Sequence, residues 1–252
     1  MGLKTALLSP FVQRYRIRQA LSKVPEPLQS VLMTTVQSDD GKLVYVKNSK
    51  AACTTIAMEI YRYSKGVEFE GRIHRERDNF RQGLEHFEEN RAALQRDDNT
   101  KFTFVRHPEK RAISAFKNFF VDRANLSAPR HIRALSTMGY DPEGDVSRNF
   151  DIYLDYVSEC FAADLQLTDR HFRKQTLNIG LGVVGYDFIG RVEQLDSDLR
   201  KVFEIAGVGY SGEPSSVKVR NSSGRSAFSP DTGQRRRLQS LYADDYEAFE
   251  YD

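Results

Sequence analysis

Residues Leu43-Val44-Tyr45-Val46-Lys47-Asn48-Ser49-Lys50-Ala51-Ala52-Cys53-Thr54-Thr55 lead from a short β-type run into a turn of small and hydroxyl side chains that holds one lysine, Lys50. The turn opens a segment whose apolar positions 56, 57, 60 and 61 fall on one helical face. A strand, a tight turn and a helix start together make an anion site. The first N–H groups of a helix have no intrahelical acceptor, and the helix dipole favours negative charge beside them. Thr54 and Thr55 add hydroxyl donors and Lys50 adds a mobile cation, so Lys50, Ala51, Ala52, Cys53, Thr54 and Thr55 form a candidate phosphate cradle. It is not a Walker A loop, because the G-x-x-x-x-G-K-[ST] glycines are missing and the lysine precedes the turn.

A second unit of the same kind follows. Phe102-Thr103-Phe104-Val105 reads as a buried strand and runs at once into Arg106-His107-Pro108-Glu109-Lys110-Arg111-Ala112-Ile113-Ser114-Ala115-Phe116. Pro108 suits the first helical turn and Glu109 complements its positive end. Ile113, Phe116 and Phe120 then share one face. Arg106 is thereby placed at a strand's carboxyl end, where open α/β sheets bind ligands, and Ser114 about two turns into the helix. An Arg fork and a Ser hydroxyl converging there would suit a second phosphate.

These segments resemble motifs of the carbohydrate sulfotransferases, of the chondroitin 4-O-sulfotransferase type. Lys50-Ala51-Ala52-Cys53-Thr54-Thr55 resembles their 5′-phosphosulfate loop, K-x-[AG]-C-[TS]. Residues Phe104 to Phe116 resemble their 3′-phosphate motif, F-V-R-[DHE]-P-x-x-R-[LAV]-x-S-A-[YF]. Tyr186-Asp187-Phe188-Ile189-Gly190-Arg191-Val192-Glu193-Gln194-Leu195 is similar to Y-D-F-[VI]-G-x-x-E-x-L, and Tyr242 to Tyr251 to the ending Y-x-x-D-[FY]-x-x-F-x-Y. The four segments stand in the family's order over residues 43–252.

The resemblance implies sulfuryl transfer from 3′-phosphoadenylyl sulfate to a hydroxyl of a carbohydrate or glycolipid. Such a reaction must hold the donor by its phosphates, stabilise charge on the bridging oxygen as the S–O bond breaks, and take a proton from the acceptor. Lys50 is the expected donor-side catalytic residue, whereas Lys47 is expected to face solvent. The transferred group carries less charge than a γ-phosphate, and the loops show no acidic metal cluster, so no metal is expected. His74 lies where relatives carry a histidine between the two phosphate motifs and is the expected base; His86 is the alternative. His107 is expected to contact its own helix. His171, in Asp169-Arg170-His171-Phe172-Arg173-Lys174-Gln175, matches a D-x-H-[FW]-x-P-Q segment near the acceptor site of relatives, except that Lys174 replaces the Pro. His171 and Glu193 are the expected substrate-side residues, and Arg225, with Arg220, Asn221 and Ser223, is expected in a loop over the nucleotide. A rival reading is a non-catalytic module that binds nucleotide phosphates and glycans. A phosphotransferase would need a Walker lysine and a metal-holding acid, and neither is visible.

The whole chain sets the frame. Its 252 residues, 40% hydrophobic and 29% charged, suit a globular α/β domain. A net charge of +2 argues against a general nucleic-acid binder. Two cysteines, Cys53 and Cys160, make no disulfide framework and fit a reducing compartment. The sequence holds no apolar run of about 20 residues and no signal-peptide core at its start, so a soluble, cytoplasmic protein is expected, like the family's bacterial branch rather than its anchored Golgi members. Residues 11–18 alternate basic with apolar side chains; they read as a helical arm packed on the domain, with a peripheral membrane or acidic-glycan contact as the alternative. The oligomeric state is left open.

Alternating strands and helices imply a three-layer, P-loop-NTPase-like α/β fold with a parallel central sheet. One sulfotransferase domain over 1–252 is expected, with 1–40 peripheral and 43–252 the core. Residues 121–148 read as a long excursion or lid, Phe150, Tyr153, Val157 and Phe161 as a helical stripe, and Tyr186 to Ile189 as the third strand. Leu195 to Ala206 reads as a helix ended by Gly207, and Ser229-Pro230 as the start of the last helix.

Overall fold

The computed structural model describes residues 13–26, 28–71, 73, 80–210 and 228–252. His74, Arg225 and the rest of the expected nucleotide-covering loop lie outside the described residues. The chain divides into two compact units: Met1–Val105 with Leu177–Arg220, and Arg106–Thr176 with Asn221–Asp252.

The first unit is built on a four-stranded sheet in the order β1-β2-β3-β4: β1 Thr35–Gln37, β2 Leu43–Val46, β3 Thr100–Val105 and β4 Phe188–Arg191. β2, β3 and β4 are parallel, with Tyr45 opposite Phe102 and Phe104 opposite Gly190. β1 is antiparallel to β2, pairing Val36 with Tyr45, so the sheet is mixed rather than wholly parallel. A short connection explains this: only five residues separate β1 from β2, enough for a hairpin-like return but not for a crossover.

Pleating sends alternate residues of β2 to opposite faces. Leu43 and Tyr45 pack with Ile56, Ala57 and Ile60 of α3 (Cys53–Lys65) and with Leu199, Val202 and Phe203 of α9 (Leu195–Ile205). Val46 packs instead with Val31 of α2 (Leu28–Thr34) and with Val184. Because Val31, Leu32 and Val36 are buried, residues 28–37 belong to the core, which corrects the expectation of a peripheral 1–40 segment. α1 (Gln13–Leu21) covers most of the basic–apolar stretch; Arg16 and Arg18 are exposed and Ile17 is half-buried. Among the described residues, α4 (Phe87–Gln95) is the last α-helix before β3.

Gly190 has a packing reason. A Cβ there would lie 2.5 Å from the Phe104 ring, which is wholly buried. α9 stops where Gly207 adopts φ 63°, the left-handed conformation that glycine takes without cost.

The second unit is helical. It holds α5 (Pro108–Phe116), a π-turn at Lys117–Val121, α6 (Ala128–Thr137), α7 (Val146–Asp164), the first two residues, Gln175 and Thr176, of the short α8 (Gln175–Asn178), α10 (Thr232–Leu241) and α11 (Ala243–Ala248). Phe116, Phe119, Phe120, Phe150, Tyr153, Phe172, Leu238 and Tyr242 form its core. The expected excursion at 121–148 thus contains a helix, α6, whose Ala128, His131 and Leu135 are buried; it is not an open lid. The helix expected from Ser229-Pro230, α10, starts instead at Thr232, and α11 follows it. Asp231 accepts from the Gln234 N–H while the Gln234 side chain accepts from the Asp231 N–H, a reciprocal capping box.

Candidate functional site

In the first unit, the turn between β2 and α3 places the candidate cradle at the carboxyl end of a parallel strand. Lys50 has φ 67° and Ala52 φ 53°, left-handed conformations that residues with a Cβ adopt at a cost of roughly 1–2 kcal/mol each. Ala52 is the N-cap of α3, and its methyl side chain cannot satisfy the helix's first N–H groups. A left-handed residue followed by helical ones turns successive N–H groups toward the same concave side, a geometry suited to an anion. The chain achieves this without the glycines of a Walker loop.

Asn48 holds the strained turn in place. It is fully buried, its Nδ2 donates to the Phe104 carbonyl at 3.0 Å, and its Oδ1 accepts from Asn178 Nδ2 at 3.3 Å. The Thr103 hydroxyl donates to the Val46 carbonyl at 2.8 Å, tying β3 to the strand end that feeds the turn. Within the cradle Ala51 and Thr55 are buried, while Lys50, Ala52, Cys53 and Thr54 are half-buried. Lys47 does not face solvent as expected: it is half-buried, with Nζ 3.4 Å from Gln82 Oε1. Glu193 is exposed in the single 3-10 turn Val192–Gln194 after β4. His86 ends another such turn, at Leu84–His86, with Nδ1 3.3 Å from a Glu89 carboxylate oxygen.

In the second unit, Arg106 and Ser114 are both half-buried, and Ser114 sits in α5 as expected. Pro108 is the first residue of that helix and Glu109 lies in its first turn, where it also meets Arg235 at 3.5 Å. His107 is the N-cap position but does not cap with its side chain; its Nε2 lies 3.2 Å from the Asp252 carbonyl and its ring packs on Tyr246 and Tyr251. Arg111 is structural. It is 1% exposed and donates to the Arg170 carbonyl at 2.8 Å.

The segment 168–176 is pinned from several sides. Asp169 accepts from the His171 backbone at 3.0 Å and lies 2.7 Å from His171 Nδ1; its other oxygen lies 3.2 Å from Nε2 of the buried His131. His131 Nδ1 in turn is 2.8 Å from the Tyr156 hydroxyl. Burial alone would raise the Asp169 pKa, but hydrogen bonds from His131 and His171 outweigh it and hold the carboxyl well below its usual range. An ionised Asp169 fixes the His171 ring through Nδ1, the arrangement by which a carboxylate orients a histidine for acceptor or proton work at its other nitrogen. The Tyr242 hydroxyl donates to the Phe172 carbonyl at 2.7 Å, and Lys174 pairs with Asp244 at 2.7 Å.

Two residues outside the sequence-based set stand out. Gln175 and Asp245 are both wholly buried. The Gln175 carboxamide accepts from the Arg106 N–H at 3.0 Å and donates to the Arg106 carbonyl at 2.8 Å. Asp245 accepts from the backbone N–H groups of Gln175 at 2.8 Å and Thr176 at 3.0 Å. Both residues fall inside the family-like segments, but nothing in linear spacing links positions 106, 175 and 245.

Among the described residues no group of His, Cys, Asp or Glu could hold a metal ion, and no helix is long and apolar enough to cross a membrane. Cys53 and Cys160 are free thiols. A family model described as "Sulfotransferase family" matches residues 33–252. No curated protein and no solved structure matches the chain.

Proposed function

Because the chain belongs to the sulfotransferase family, we propose that it moves a sulfuryl group from 3′-phosphoadenylyl sulfate to a hydroxyl of a carbohydrate or glycolipid by direct in-line displacement. The observation that carries the reading is the β2–turn–α3 element: a half-buried lysine and a helix start whose N-cap Ala52 makes no side-chain cap, set in a strained left-handed turn beside a buried asparagine. A turn that maintains two unfavourable residues is one whose backbone shape matters.

Lys50 binds the donor's 5′-phosphosulfate and stabilises charge on the bridging oxygen, while the backbone of 51–53 and the Thr54 and Thr55 hydroxyls hold the remaining oxygens. Arg106 and Ser114 bind the 3′-phosphate, and Arg225 belongs to the nucleotide-binding set. His74 takes the acceptor proton. His171, oriented by Asp169, and Glu193 contact the acceptor. The displacement forms the acceptor C–O–S bond as the S–O bond to the 5′-phosphate breaks. The electron pair leaves on the phosphate, giving adenosine 3′,5′-bisphosphate. No metal takes part.

The test is sulfate transfer by the purified full chain to a panel of glycan and glycolipid acceptors, with and without a chelator. Transfer to at least one acceptor, insensitive to chelator, is expected. Donor binding without transfer to any acceptor favours the non-catalytic module, and metal-dependent phosphoryl transfer would replace the proposal. His74→Ala should remove most transfer, by about 10²–10⁴, with nucleotide binding near wild type. His86→Ala serves as the control; if it alone abolishes transfer, the base is misassigned.

A further inference from the structure

We propose that Gln175 and Asp245 form a two-step clamp that positions Arg106, so that recognition of the donor's 3′-phosphate is set by the chain's C-terminal helix. The proposal rests on the reading of Arg106 as a 3′-phosphate ligand.

Arg106 follows the last residue of β3 and precedes the His107–Pro108 junction, where φ −45° and ψ 124° at His107 turn the chain into α5. It therefore belongs neither to a ladder nor to a helix. A backbone in such a place must find partners for both its N–H and its C=O, or it stays loosely held. Here one side chain supplies both. The Gln175 carboxamide presents an acceptor and a donor side by side, as the backbone of a neighbouring strand would, and engages the Arg106 N–H and C=O at 3.0 and 2.8 Å. With both backbone groups held, the point from which the Arg106 side chain departs is fixed.

A clamp is only as firm as its own support. Gln175 begins the short α8, whose first N–H groups need acceptors, and both oxygens of Asp245 meet that need through the N–H groups of Gln175 and Thr176. Asp245 sits in the first turn of α11, which places the far end of the relay in the last ten residues of the chain. All three residues lie in one compact unit, and Gln175 and Asp245 are 0% exposed, so water does not compete for these bonds. Gln175 and Asp245 are positioning residues; neither is proposed to touch the nucleotide.

The experiment measures binding of adenosine 3′,5′-bisphosphate and adenosine 5′-monophosphate to the full chain by calorimetry and takes the affinity ratio as the readout. A purely structural role lowers the melting temperature without changing this ratio in the folded protein. In Gln175→Ala the bisphosphate should bind about tenfold more weakly while the monophosphate changes less than about twofold, the scale of one misaligned charge-assisted hydrogen bond. In Arg106→Ala the ratio should collapse, and adding Gln175→Ala to it should change the ratio no further. Asp245→Asn, which retains shape but turns an amide donor toward one backbone N–H, should lower the ratio in the same direction by less. If Gln175→Ala does not fold, Gln175→Glu keeps the size and removes the donor to the Arg106 carbonyl, and it must also lose selectivity. A folded Gln175 variant with wild-type selectivity, beside an Arg106→Ala that loses it, overturns the clamp and leaves the phosphate assignment intact. An Arg106→Ala protein that keeps selectivity overturns the assignment itself, and the clamp with it.

Discussion

The turn at 48–53 and the junction at Arg106 solve the same problem by different means. Each must present backbone or cationic groups from the end of a strand, outside regular structure. The turn stores strain, with two non-glycine residues in the left-handed region, and is pinned by Asn48, which stands two residues from Lys50 in sequence. The Arg106 junction is relaxed in this sense, since Arg106 has no positive φ, and is fixed by a side chain 69 residues away that is itself anchored a further 70 residues on. An element pinned by a near neighbour depends on distant residues only through that neighbour's own partners, here the Phe104 carbonyl and Asn178. A remotely pinned one would couple the proposed recognition of the 3′-phosphate to segments that never meet the ligand.

The sharpest way to break the comparison is Lys50→Ala. It removes the cation from the pinned turn without touching its anchor, and kcat should fall by about 10²–10³, the effect of losing one donor to developing charge. Affinity for adenosine 3′,5′-bisphosphate should fall much less, because the effect is greatest in the transition state. A variant with normal turnover would remove Lys50 from the mechanism.

Arg106→Ala comes next. Loss of a charge-assisted pair should weaken the bisphosphate by about 10- to 100-fold. In thermal-shift measurements the extra stabilisation that the bisphosphate gives over the 5′-monophosphate should vanish. Equal shifts by the two nucleotides in the unmodified protein would already contradict a two-phosphate site.

Gly190→Ala sharpens the contrast through packing. The new methyl drives into the Phe104 ring, and Phe104 supplies the carbonyl that anchors Asn48. We expect about 1–3 kcal/mol of destabilisation, as for other overpacked cores, read from urea midpoints. In the surviving folded fraction, kcat should suffer more than bisphosphate selectivity. The reverse pattern would show that the turn is not the element Phe104 supports.

Acid titration separates the loop around His171 from the turn. The Asp169 carboxyl is depressed, so its stabilisation is fully present above the unfolded carboxyl pKa of about 3.9 and is lost only as pH falls through the lower folded value. The stability difference between the wild-type protein and Asp169→Asn should therefore hold from neutral pH to about pH 4 and shrink below it. A difference that declines between pH 7 and 5 would mean that Asp169 is not the ionised hub of the loop.

Ala52→Gly should have the smallest effect. Glycine relieves the left-handed strain but adds unfolded-state freedom, for a net change within about 1 kcal/mol, in the stabilising direction if strain dominates. The corresponding change at a relaxed site, such as Ala112 in the middle of α5, should destabilise by about 1 kcal/mol.

The sequence by itself determined the elements whose signals are local. The β-type run and amphipathic spacing placed β2 and α3, Pro108 and Glu109 marked the start of α5, and Gly207 marked the end of α9. The motif order also pointed to the family that matches residues 33–252. Tertiary structure decided what depends on distant partners. It recruited residues 28–37 into the sheet and core, because an edge strand as short as β1 gains its stability from pairing with β2 rather than from its own three residues. It folded α6 within a polar stretch, because burial of Ala128, His131 and Leu135 against aromatic rings outweighs a composition that reads as loop. It drew Lys47 inward to Gln82, and it joined Arg106, Gln175 and Asp245. Period and capping act over three or four residues and leave their mark in a linear pattern, whereas a hydrogen bond between side chain and backbone 70 residues apart exists only once the fold has brought the two together.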